Sequence, residues 1–141
     1  MKAPITVIIS AIVLSGCALG VQPDGSSPSV TYTAPRPYQA VYLRVQSQAE
    51  LCLRGDKDQY DVYAEVDPAS QTGSVSVRGP LSDLVVARTE IKAVDQANTQ
   101  VTHTVWGVKP WDEGALSAMR RSVMLDTSVC VAYQAERTPV R

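Results

Sequence analysis

From Tyr38 onward the hydrophobic positions change period several times, and each change marks an element. Tyr38, Val41, Tyr42, Val45, Ala49 and Cys52 recur at helical spacing, while Arg44, Gln46, Gln48 and Glu50 fall mostly on other faces. Pro37 suits a helix start and Gly55 a stop, so the spacing predicts a helix over 38–54. Period 2 follows. Tyr60, Val62, Ala64 and Val66 alternate with Asp61, Tyr63, Glu65 and Asp67, and Val75 and Val77 share one face of a short segment, 74–78. In 84–94, Val85, Ala87, Thr89, Ile91 and Ala93 oppose Val86, Arg88, Glu90 and Lys92. In 100–106, Val101, His103 and Val105 oppose Thr102, Thr104 and Trp106. Alternation with polar partners is the mark of an antiparallel sheet with one wet face. A last helix starts at Asp112–Glu113, an N-cap residue followed by a negative charge in the first turn, with Leu116, Met119, Val123 and Met124 as its apolar stripe.

The expected order is α-β-β-β-β-α. Its simplest packing is an α+β two-layer sandwich, a four-stranded antiparallel sheet with two helices on one face. One domain, 38–134, contains these elements, and 135–141 is a tail.

The N-terminal regions follow other rules. Residues 5–14 (ITVIISAIVL) are an apolar run too short for a spanning helix, which needs about 20 residues. Lys2 precedes the run and Leu14-Ser15-Gly16-Cys17 follows it, the layout of a signal peptide cleaved before a cysteine, so 1–16 is read as signal. LSGC resembles the lipobox of bacterial lipoproteins. The resemblance implies a diacylglycerol on Cys17 and further acylation of its new amino group, and two or more chains hold stably to a membrane. Ala18 stands where an Asp would retain such a protein at the inner membrane, which implies the outer membrane, facing the periplasm. In 17–37, Pro23, Pro28, Pro35 and Pro37 are interspersed with Gly20, Gly25, Ser26, Ser27 and Ser29. This predicts a flexible linker spanning about 25 Å as a coil and about 65 Å stretched.

Composition adds two points. With Lys2 removed, 12 basic residues face 14 acidic ones without a Lys/Arg cluster, so nucleic acid is not an expected partner. With Cys17 lipidated, Cys52 and Cys130 remain, and in an exported chain an even remainder suggests a disulfide, against the alternative of two buried thiols.

Candidate chemistry is sparse. His103 is the single histidine, in a strand, and no Gly-x-Ser-x-Gly elbow accompanies it, so a half-buried structural histidine is favoured over a base and no catalytic residue is assigned. One histidine and two distant cysteines give no metal-ligand spacing and no glycine-rich turn makes a phosphate loop, so neither metal nor cofactor is expected. Tyr63 and Trp106, with Val86, form a candidate contact surface if the outer sheet face carries them together; the alternative is that they cover a small core.

AELCL (49–53), VVARTEI (85–91), TQVTHTVWG (99–107) and Trp111-Asp112, ending in Cys130, resemble a family of small uncharacterised lipoproteins of Gram-negative bacteria. The resemblance implies the lipoprotein address and the paired cysteines, and no activity. The expectation is a membrane-anchored, non-catalytic binding or accessory module whose partners are the membrane and another envelope protein. The rivals are a small protein for lipid or hydrophobic ligands, with Met119 and Met124 lining a pocket between helices and sheet, and an envelope hydrolase using His103.

Overall fold

A computed structural model describes residues 19–80 and 84–131. The signal segment, Cys17 and the tail 135–141 lie outside the described residues, as do the last residues assigned to the domain, 132–134.

The order is β1 (Ser29–Ala34), α1 (Tyr38–Cys52), β2 (Asp61–Asp67), β3 (Thr72–Arg78), β4 (Val85–Ala93), β5 (Thr99–Val105) and α2 (Glu113–Leu125). The class is α+β, with five strands rather than the expected four. All pairings are antiparallel, in the order β1-β5-β4-β3-β2. From β2 to β5 the sheet is the expected meander. β1 adds to its far edge, pairing Ser29 with Thr104 and Ala34 with Thr99, and α1 then carries the chain across the sheet to β2 on the opposite edge.

This corrects the expectation of a flexible linker over 17–37 at residues 29–34, which form a strand. Val30, Tyr32 and Ala34 turn toward the core and Ser29, Thr31 and Thr33 toward solvent, a period-2 pattern lodged between Pro28 and Pro35. Proline punctuates a strand at its ends as readily as it breaks up a coil.

Both helices lie on one face. α1 packs on β2, β3 and β4, and α2 on β5 and β1. Val41, Val45 and Ala49 of α1, Val75, Val77, Ile91, Val101 and Val105 of the sheet, and Ala115, Met119 and Val123 of α2 meet in one apolar cluster. Gln48, expected on another face, is also buried, and its Nε2 donates to the Val129 carbonyl at 3.3 Å. Gly73 lets the Tyr42 ring lie close to β3, where a Cβ would stand 3.0 Å from the ring. The Asp112 carboxylate caps α2 by accepting from the Gly114 N–H at 3.0 Å. At the other end of α2, Asp126 takes a left-handed conformation and binds Arg36 at 2.7 Å and Arg44 at 3.1 Å, tying that end to α1. Hydrogen bonds from those two guanidinium groups hold its carboxyl below the usual range.

Candidate functional site

The candidate residues separate into three environments. Cys52 and Cys130 are bonded, with Cα atoms 5.1 Å apart, joining the last residue of α1 to the segment that returns after α2. The bridge and its polar neighbours fasten that segment: the Val129 N–H donates to Ser122 Oγ at 2.8 Å, and Ser122 Oγ donates to the Ala118 carbonyl. In the chain-entropy picture, closing 78 residues of sequence stabilises the fold by about 4 kcal/mol.

His103 belongs to the core. It is fully buried, with Thr89 Oγ1 2.7 Å from its Nδ1 and Tyr32 Oη 2.8 Å from its Nε2. A neutral imidazole has one donor and one acceptor nitrogen, and two hydroxyls satisfy both in either tautomer. Burial, and secondarily the Arg120 guanidinium, push its pKa down to about 3 from 6.5. Burial also raises the Tyr32 phenol, and Arg120 stands 5.2 Å over that ring. The imidazole is therefore neutral, spoken for at both nitrogens and out of reach of a substrate. Among the described residues no group of three or more His, Cys, Asp or Glu is placed to hold a metal ion.

The outer face of the sheet is the third environment. Here Tyr63, Glu65 and Asp67 of β2 stand in register with Ser76, Ser74 and Thr72 of β3, then with Arg88, Glu90 and Lys92 of β4, then with Thr104, Thr102 and Gln100 of β5. The central strand β4 carries the charged Arg88, Glu90 and Lys92, and short hydroxyl side chains on β3 and β5 lie to either side of them. Glu65 and Glu90 flank Ser74, Arg88 stands one register row away, and the Arg78 guanidinium lies 4.3 Å over the Tyr63 ring. An open hollow of about 700 Å³ lies on this face, lined by Glu65, Thr72, Ser74, Glu90, Lys92 and Thr102 among others. A smaller one of about 200 Å³ adjoins it over Tyr63, Ser76, Arg78 and Arg88. Toward β1, Thr31 and Thr102 hydroxyls meet across the strands at 2.9 Å, and Ser29 and Thr104 at 3.1 Å.

Tyr63 is thus on the open face, 46% exposed. Trp106 is half-buried and packs against the core at the end of β5. Val86 is fully buried, as is its neighbour Ala87, so β4 is covered on both sides at its start. Val86, buried beside Trp106, therefore contributes no exposed surface with Tyr63. The residues lining the hollow, Ser74 and Glu90 among them, carry no motif; the signal available in the sequence was the run of small hydroxyl and charged residues at most outward positions.

Between the layers, the space lined by Val45, Leu53, Val77, Ala87 and Met119 is too small for a water molecule. Met119 is buried there, whereas Met124 is exposed. No described helix is long and apolar enough to cross a membrane. No protein-family model matches the chain, and no curated protein matches it.

Proposed function

We propose that the protein is an envelope lipoprotein, anchored through Cys17 in the outer membrane and facing the periplasm, whose domain is a non-catalytic module that binds another envelope protein through its uncovered sheet face. One observation carries the second half of this reading: the sheet has helices on one side and, on the other, an open polar surface with a hollow of about 700 Å³. Interfaces with soluble partners are wet and hydrogen-bonded at their rims, and interleaved charge gives register and selectivity. Glu65 and Glu90 beside Arg88 and Lys92 supply that pattern.

The rival of a small hydrophobic ligand needs room between the layers, and the filled space around Met119 gives it no support. The hydrolase rival needs an accessible base, and His103 is buried with both nitrogens engaged.

The test is site-specific photo-crosslinking in the native host. A benzophenone side chain at Ser74 should give a discrete protein adduct, and one at Leu43, exposed on α1, should not. Adducts of the same kind from both positions, or from neither, would defeat the assignment of the binding face.

A further inference from the structure

The chain that follows Cys17 is fastened almost at once. Gly20 is buried with φ +77, and a Cβ there would stand 2.7 Å from both Leu84 Cδ1 and the Val85 carbonyl oxygen. Such a φ and such an approach require glycine. The next residue, Val21, donates its N–H to the Val85 carbonyl at 2.7 Å, so the segment is hydrogen-bonded to the start of β4. Gln22 closes the turn: its Nε2 donates to the carbonyls of Leu19 and Gly20, and its N–H donates to Ser27 Oγ at 2.8 Å. The Pro28 carbonyl then accepts from the Val105 N–H at 3.0 Å, delivering the chain into β1.

Only the three residue steps from Cys17 to Gly20 precede this attachment, a reach of about 10 Å at full extension. A lipid on Cys17 would therefore hold the body against the bilayer by one particular end. That end holds the beginning of β4 and the ends of β3 and β5. Two exposed apolar side chains lie there, Leu19 at 63% and Val108 at 50%, with Lys109 next in sequence. Asp56, Asp58, Asp112 and Glu113 lie at the same end with Arg54, Lys57 and Lys109, so the pole has no excess of positive charge to draw it to anionic lipid. The opposite end, with the turns at 68–71 and 94–98, is a strand length away and exposes Val94 and Leu125 as well, so the short reach from Cys17, rather than apolar exposure, selects the pole.

We propose that this pole, marked by Leu19 and Val108, is a membrane-contact surface: once Cys17 is acylated, the domain rests on the phospholipid headgroups there. The strands then stand up from the bilayer, and the open sheet face looks sideways, toward a neighbour in or on the same membrane. The inference rests on the lipoprotein reading of Cys17 and adds the orientation.

The full-length acylated protein, extracted from its host and reconstituted in phosphatidylcholine vesicles carrying a headgroup-level spin-labelled lipid, provides the test. Val108→Cys and Ala69→Cys variants each carry a bimane on the single free thiol. Ala69 lies in the turn between β2 and β3, about 30 Å away along the strands, so the label at 108 should be quenched roughly threefold more strongly than that at 69. Inserting a flexible Gly/Ser stretch of about twenty residues between Ala18 and Leu19 should erase the difference. Equal quenching at the two sites in the acylated chain of natural length would overturn the pole and leave the anchor standing. An unacylated Cys17 in the mass spectrum of the same sample would overturn the anchor, and the pole with it.

Discussion

Glu90 and Ile91 are consecutive residues of β4, and they live in different solvents. Ile91 is 2% exposed beneath the helices, while Glu90 stands in the open hollow on the other side. The same division runs through the sheet. His103 and Thr89, polar residues on the inner face, are tolerated because each satisfies the other; Thr102 and Ser74, on the outer face, meet water or another side chain at no cost. A strand's period of 2 lets one backbone serve two surfaces independently. Residues facing the helices are therefore held by packing, while those facing away range from buried, as at Val86 and Ser76, to open, as at Glu90.

The largest expected effect belongs to the covered side. Replacing Cys52 and Cys130 together by serine should lower the unfolding free energy by about 4 kcal/mol, a large share of what a domain of this size has. Urea denaturation with and without a reductant checks it. Reductant should destabilise the wild type and leave the double variant unmoved, and an equal response in both would rule out the bridge as a source of stability.

Next is the β4 pair itself. Ile91→Ala removes buried methyl groups from the core and should cost about 3 kcal/mol, whereas Glu90→Ala should stay within about 0.5 kcal/mol. Comparable losses at the two positions, read from urea midpoints at a constant m value, would mean that the outer face is packed after all.

Acid reaches the inner face through His103. Its folded pKa of about 3 lies below the ordinary 6.5, so the unfolded chain binds the proton first as pH falls. The stabilisation is complete above pH 6.5 and declines toward pH 3, with a slope approaching about 1.4 kcal/mol per pH unit, so a loss of roughly 2 kcal/mol is expected by pH 5. The carboxyls of Asp24, Asp67, Asp95 and Asp126, all held below 3.8 by hydrogen bonds, act in the same direction at still lower pH. His103→Leu should be less stable at neutral pH and flat between 6.5 and 5. Parallel curves for variant and wild type over that window would place the acid sensitivity elsewhere.

How legible was this in the sequence? The helices, the meander and the α+β class follow from periodicity: a strand such as Val85–Ala93 announces its inner set as every second residue, and α2 declares its start at Asp112. The cysteine pair was legible from parity once Cys17 was set aside on its resemblance to a lipobox. β1 was not, although Val30, Tyr32 and Ala34 alternate as cleanly as any strand, because the prolines on either side and the glycines and serines before it outweigh six residues of pattern. Its pairing with β5 is a contact across some 70 residues, which no local signal carries. Gly20 was legible as a glycine only; that it locks the chain against Leu84 is a fact of tertiary packing. The outer face carries no motif, because its small hydroxyls and scattered charges follow only the strand period, and Trp106, left between that face and the core, packs against the core at the end of β5.

The smallest effect compares like with like. Thr89 and Thr102 are threonines in neighbouring strands, facing opposite sides of the sheet. Thr89 Oγ1 is buried on His103 Nδ1 at 2.7 Å; Thr102 Oγ1 meets Thr31 Oγ1 at 2.9 Å in contact with solvent. Valine keeps the β-branched shape in both places, so each substitution deletes a hydroxyl and little else. Thr89→Val leaves a buried ring nitrogen without its partner and should cost about 1.5 kcal/mol; Thr102→Val exposes the Thr31 hydroxyl to water and should cost a few tenths at most. The Thr89 variant should also shift the histidine ring resonances in an NMR spectrum, which the Thr102 variant should leave in place. If the two losses were equal, the hydrogen bond to His103 would contribute nothing beyond the shape of the side chain, and the contrast between the faces would rest on apolar packing alone.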